Sequence, residues 1–96
     1  MKVLKRDNSI VDFDQSRITS AIYKALKSCD MDTRWLAEVI SDGVCKRLPL
    51  KDDKPLDVES IQDYVEEELI LRGLTPVVRN YIIYRRDHKR AREAKQ

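Results

Sequence analysis

The chain has 96 residues, 42% of them hydrophobic and 38% charged, with two glycines and three prolines. That length suits one domain whose helices share a single core, and the composition favours an ordered, mostly helical protein over a disordered one. A net charge of +2 makes no global case for nucleic acid, and no apolar run approaches the ~20 residues of a membrane span.

Residues 2–6 and 10–13 are short runs rich in β-branched or aromatic side chains. Asp7-Asn8-Ser9 between them tolerates the left-handed backbone that tight hairpins require, so the spacing predicts a β-hairpin with Lys5 and Arg6 at its turn. Asp14 stands as a helix N-cap, and Ile18, Ala21, Ile22, Ala25 and Leu26 follow at helical spacing over about 15–28. Cys29 to Asp32 interrupts that pattern. Asp32 or Thr33 then caps a second helix with Leu36, Val39, Ile40, Val44 or Cys45, and Leu48 along one side, ending near Pro49. Lys51 to Pro55 reads as a polar loop, and Leu56-Asp57-Val58 as a small edge strand able to pair with the hairpin. A third helix from Glu59 carries Ile61, Tyr64, Val65 and Leu69, with Glu68 and Arg72 in the same stripe and Gly73 just past its end. Thr75-Pro76 caps and opens a fourth helix through Val77, Val78, Tyr81, Ile82 and Arg85, fraying toward Gln96. Four helices and three short strands result.

No phosphate loop, dinucleotide fingerprint, zinc-protease motif or serine triad can be placed on the chain, so no active site is expected. Glu66, Glu67 and Glu68 are consecutive on a helix, point in different directions and read as a solvated face. Cys29 and Cys45 lie sixteen residues apart without a CxxC partner, and His88 is the one histidine. The thiols therefore read as reduced cysteines of a cytoplasmic protein, not as metal ligands.

Lys5 and Arg6, with Arg17 just inside the first helix, suit an anion, because cations and the backbone donors of a helix N-terminus converge on one phosphate. Charged residues also protect hairpin edges, and neighbouring strand residues point to opposite faces, so spacing alone leaves the choice open. The last twelve residues hold six Lys or Arg against two acids, and Gly73-Leu74-Thr75-Pro76 is similar to the turn of a helix-turn-helix. A basic nucleic-acid-binding or transcriptional-regulator domain is therefore the alternative. Against it, Val77 and Val78 occupy the early positions where a recognition helix presents polar groups, leaving only Arg79 and Asn80.

Three segments taken together carry a resemblance: Val3-Leu4-Lys5-Arg6-Asp7 with Val11-Asp12-Phe13-Asp14 and Arg17-Ile18, then Val58 to Glu66, then Tyr81-Ile82-Ile83-Tyr84-Arg85. In this order the chain resembles the ATP-cone, the regulatory nucleotide-binding module at the N-terminus of many ribonucleotide reductases and in a repressor of their genes. The match covers residues 1–96, with 86–96 as a tail or linker. It lacks the repressor's cysteine-rich zinc ribbon and looks most like the anaerobic class of reductase.

The resemblance implies an α+β fold, a four-helix bundle capped by a small three-stranded mixed sheet, with ATP or dATP held between cap and bundle. It also implies site residues. Val3 lines the base pocket, Lys5 and Arg6 meet the phosphates, Asp14 and Arg17 help hold base or phosphate, and Ile18 and Val58 belong to the same matched segments. Arg85, Arg86 or Lys89 supplies a last cation. Mg²⁺ is expected on phosphate oxygens and water, with no protein metal ligand. The implied function is allosteric control of overall reductase activity, with the reductase catalytic domain as partner and a nucleotide-dependent oligomer as its output. Val11 and Val58 depart from acidic and hydroxyl-bearing residues of some members.

Overall fold

The computed structural model describes residues 1–49 and 54–94. The chain runs β1 (Lys2–Leu4), β2 (Ile10–Asp12), α1 (Gln15–Ser28), α2 (Arg34–Arg47), β3 (Leu56–Asp57), α3 (Val58–Leu71) and α4 (Thr75–Ala94). This is the expected α+β arrangement: four helices and a three-stranded mixed sheet. The strand order is β2-β1-β3. β1 pairs antiparallel with β2, Val3 facing Val11, and parallel with β3, Val3 facing Leu56. Of the expected 51–55 loop, Lys51 to Asp53 lie outside the described residues.

The hairpin turn is local chemistry. The Asn8 N–H donates to the Lys5 carbonyl at 3.0 Å and the Lys5 N–H to the Ser9 carbonyl at 2.9 Å. Asn8 adopts φ +68°, which Asn tolerates, and the Asp7 carboxylate accepts from the Ser9 N–H at 3.0 Å. β1 accordingly stops at Leu4, leaving Lys5 and Arg6 in the turn rather than in the strand that residues 2–6 suggest.

Asp14 caps α1 as expected, whereas Val58, expected in the strand, begins α3 with Asp57 as its cap. Asp14 accepts from the Ser16 N–H at 3.0 Å, and Asp57 does the same for Glu59 at 3.0 Å, so one residue both closes β3 and starts α3. Thr33 precedes α2 without a side-chain cap bond, while Asp32 is engaged by the Tyr23 hydroxyl. α1 and α3 both end in Schellman motifs: Met31 N–H to Leu26 carbonyl at 3.0 Å across Asp30 (φ +59°), and Leu74 N–H to Leu69 carbonyl at 3.1 Å across Gly73 (φ +72°).

The helices form a ring in which α1 packs on α2 and α4, and α3 packs on the same two. Ile22, Leu26, Ile40, Val44, Val65, Leu69 and Val77 fill the centre, and Val3 closes it from the sheet. Ile40, Val44 and Leu48 of the expected α2 stripe are buried, joined by Ala37 and Ser41, while Leu36 and Val39 are half-buried. Buried Ser41 is satisfied by the buried Thr19 hydroxyl, which donates to it at 2.8 Å and pins α2 to α1. α2 and α3 approach closely at Gly43, where a Cβ would lie 3.0 Å from Glu68 Oε2 and 3.2 Å from the Arg72 guanidinium.

Gly73→Ala tests the α3 cap. A Cβ there meets nothing within 4 Å, so only the left-handed backbone opposes it, at about 1–2 kcal/mol. The thermal midpoint should fall roughly 4–8 °C for each kcal/mol lost; an unchanged midpoint would contradict the cap.

Candidate functional site

A cleft with a volume of about 180 Å³ opens where the sheet meets the bundle. The hairpin contributes Val3, Lys5, Arg6, Val11, Asp12 and Phe13; the start of α1 adds Asp14, Arg17, Ile18 and Ala21. Val58, Ile61, Gln62 and Val65 come from α3, and Tyr81, Tyr84 and His88 from α4. Four elements separated in sequence thus share one concavity, because β3 carries the start of α3 up beside β1.

Polarity is graded across it. Val3, Ile18, Ile61, Val65 and Tyr81 are buried, forming an apolar floor. Lys5 and Arg6 are half-buried and Arg17 exposed, so the cations stand toward the opening. The cations are not equivalent. Arg6, with a side chain 15% exposed, donates to Glu59 Oε1 at 3.2 Å and Gln62 Oε1 at 2.8 Å, stapling the hairpin to α3. It is therefore not the freely exposed charge that a hairpin position suggests. Lys5 and Arg17 make no side-chain ion pair with the described residues.

Two acids line the cleft beside them. The Ser16 hydroxyl and N–H hold the Asp14 carboxyl below its usual range, and a bond from Lys2 does the same for Asp12. Because Asp14 satisfies the Ser16 N–H itself, the start of α1 presents a capped end rather than a full set of free backbone donors.

The predicted residues Val3, Lys5, Arg6, Asp14, Arg17, Ile18 and Val58 all line this cleft. Arg85, Arg86 and Lys89 do not. Arg85 bonds Asp63 at 2.8 Å, Glu66 at 3.0 Å and the Glu59 carbonyl at 3.3 Å. Burial pulls its pKa down, but the bonds to Asp63 and Glu66 outweigh burial and leave it raised. Arg86 is exposed beside Asp87, at 3.5 Å. Lys89 lines a neighbouring groove that shares Lys5 and Arg6 with the cleft.

Sequence reasoning missed the α4 wall. Tyr81, Tyr84 and His88 recur at three- and four-residue spacing, a stripe that reads equally as core, and the tertiary structure turns it into the cleft. The Tyr84 and His88 ring centroids lie 4.1 Å apart with the rings tilted by 39°, and the Tyr81 ring lies 6.2 Å from that of Tyr84. Burial pushes the Tyr81 phenol well above its ordinary pKa, the Arg85 charge opposing. Gln62 and Ile61 were missed for the same reason. Early in α4, Val77 and Val78 are buried and Asn80 donates to Ser28 Oγ at 2.8 Å, so of the four residues there Arg79 alone is exposed.

Among the described residues no group of three or more His, Cys, Asp or Glu side chains could hold a metal ion, and no helix is long and apolar enough to cross a membrane.

Comparison with known proteins places the chain in a family. The chain is 40% identical to a vitamin B12-dependent ribonucleoside-diphosphate reductase of Thermoplasma acidophilum over 99% of its own length and 13% of the relative's. It is 33% identical to an anaerobic ribonucleoside-triphosphate reductase of Haemophilus influenzae, over 95% of the chain and 13% of the relative. A ribonucleoside-diphosphate reductase subunit alpha of Chlamydia muridarum is 34% identical over 95% of the chain and 10% of the relative. The chain thus spans about a tenth of the length of these relatives, which belong to more than one kind of reductase. The family model for the ATP cone domain matches residues 1–90, and the chain belongs to that family.

Proposed function

We propose that the cleft binds an adenine nucleotide, ATP or dATP with Mg²⁺, and that its occupancy regulates the overall activity of a cytoplasmic ribonucleotide reductase whose catalytic domain is the partner. The observation that carries this reading is the polarity gradient: an apolar floor of Val3, Ile18, Ile61 and Val65 in a cleft also lined by the cations Lys5, Arg6 and Arg17. A triphosphate needs several charge-assisted donors, and these residues offer two guanidinium forks and one ammonium point charge. Val3, Ile18 and Val58 surround the base, Lys5 and Arg17 take the phosphates with Arg6, and Asp14 orders the start of α1 beside them.

In the last helix, Lys89 is the cation that shares a groove with Lys5 and Arg6, while Arg85 holds α4 to α3. The residues present fit a metal carried by the phosphates, since the two cleft carboxylates already cap α1 and pair with Lys2. Mg²⁺ bound there supplies charge neutralisation of the triphosphate.

Regulation is differential binding. A ligand shifts an equilibrium only by its unequal affinity for the two states. A phosphate at Arg6 competes with the Glu59 carboxylate for one guanidinium, so binding bears directly on the joint between hairpin and α3. ATP and dATP differ by one 2′-hydroxyl, and leaving its partner unpaired is worth about 1–3 kcal/mol, roughly tenfold to hundredfold in affinity. Nucleotide-dependent association of subunits is the expected output.

Saturating ATP with Mg²⁺ at about a hundred times its Kd should stabilise the domain by about 2.7 kcal/mol and raise the thermal midpoint by roughly ten degrees or more. No shift with ATP or dATP, beside a clear one with duplex DNA, would replace this reading with the nucleic-acid one.

Single substitutions should separate the cations. Lys5→Ala should weaken ATP binding at least about tenfold and leave the ligand-free midpoint within about a degree or two. Arg6→Ala should weaken binding and also cost about 1–2 kcal/mol of stability through the lost bonds to Glu59 and Gln62. Equal ligand-free midpoints for the two variants, by calorimetry, would show that the Arg6 staple contributes nothing.

A further inference from the structure

The Tyr81 ring is 3% exposed and forms part of the cleft floor. Its hydroxyl makes no hydrogen bond with any described residue: the neighbouring Arg85 is taken up by Asp63, Glu66 and the Glu59 carbonyl. Nor is that oxygen sealed in the protein. Arg47 supplies the one fully enclosed side-chain polar atom without a hydrogen-bond partner among the described residues, so the Tyr81 oxygen keeps some exposure, on a side chain that lines the cleft. A phenol held this deep is costly to leave unsatisfied, and Tyr hydroxyls in buried settings normally find a partner.

The direction of the cleft says which part of a ligand reaches it. Phosphates are drawn to Lys5, Arg6 and Arg17 at the opening, and what passes beyond them to Val3, Ile61 and Val65 is a flat, largely apolar ring with polar atoms on its edge. We propose that the Tyr81 hydroxyl hydrogen-bonds the edge of the nucleobase and is a specificity-determining contact of the site. This rests on the nucleotide reading above. A phenol is protonated through the neutral range, so it offers a donor to a ring nitrogen and an acceptor to an exocyclic amine.

Tyr81→Phe removes the oxygen and keeps the ring. By titration calorimetry with Mg²⁺, the variant should bind ATP about three- to tenfold more weakly than the wild-type chain, and dATP by the same factor, because the two share their base. Its ligand-free thermal midpoint should be unchanged or higher, since an unpaired polar group has been removed. A loss with ATP alone would place the hydroxyl at the sugar and overturn the assignment. Unchanged affinity for both nucleotides would overturn it as well, as would a ligand-free midpoint several degrees lower or a variant that fails to fold, because the oxygen would then have a partner inside the protein. If the wild-type chain binds neither nucleotide, the nucleotide reading fails first and this contact with it.

Discussion

The parallel pairing of β1 with β3 is the constraint on which the site depends. Two residues of β3 hold it, Leu56 against Val3 and Asp57 against Leu4, yet it sets where α3 begins. Asp57 ends the strand and caps the helix in one position, so no slack separates sheet from bundle. Arg6 then reaches Glu59 and Gln62 in the first turns of α3, a second tie over the same joint. Parallel pairs need a long crossover. Here α1 and α2 supply it, so half of the bundle is built inside the connection between two short strands and α3 and α4 follow it.

That joint explains why the cleft combines an apolar floor with a charged opening. The floor is the top of the bundle core, closed by Val3 from above. The opening lies beside the hairpin turn, where the chain reverses and cations stay near solvent. One region thus serves both stability and recognition, and Arg6 belongs to both. Lys5 sits next to it in sequence but makes no ion pair with the described residues, so adjacent positive charges have different roles. The same division recurs on α4, where Arg85 is held by two carboxylates on α3 while Lys89, one helical turn on, faces the groove beside the hairpin.

The α2–α3 side carries no recognition chemistry but fixes the far wall. Glu68 is buried between Arg47 and Arg72, at the place where Gly43 allows close approach. Buried charge tolerates little displacement once its partners are set. Together with the Thr19–Ser41 contact on the opposite side of α2, it leaves α3 in one position relative to α1, so the cleft walls are held from below.

Much of this was legible in the residues alone. Asp14 as a cap, Gly73 as a left-handed terminator and the apolar stripe of α1 are properties of short segments, decided by dihedral preference and periodicity within a few residues. The hairpin turn was readable for the same reason, and the three matched segments identified the family. The sequence by itself therefore determined the elements, the approximate ends of the helices and most of the residues that the hairpin and α1 bring to the cleft. It named Ile40, Val44 and Leu48 on the buried side of α2 but not Ser41, because a serine joins a core only once a partner such as Thr19 is opposite it. Nor did it show that Tyr81, Tyr84 and His88 form a wall of the site, since a helical stripe reads the same whether it faces core or cleft. Which cation is tied and which is left for a ligand was decided by the tertiary structure alone: an ion pair depends on what another element brings within about 4 Å, and Glu59 lies 53 residues from Arg6.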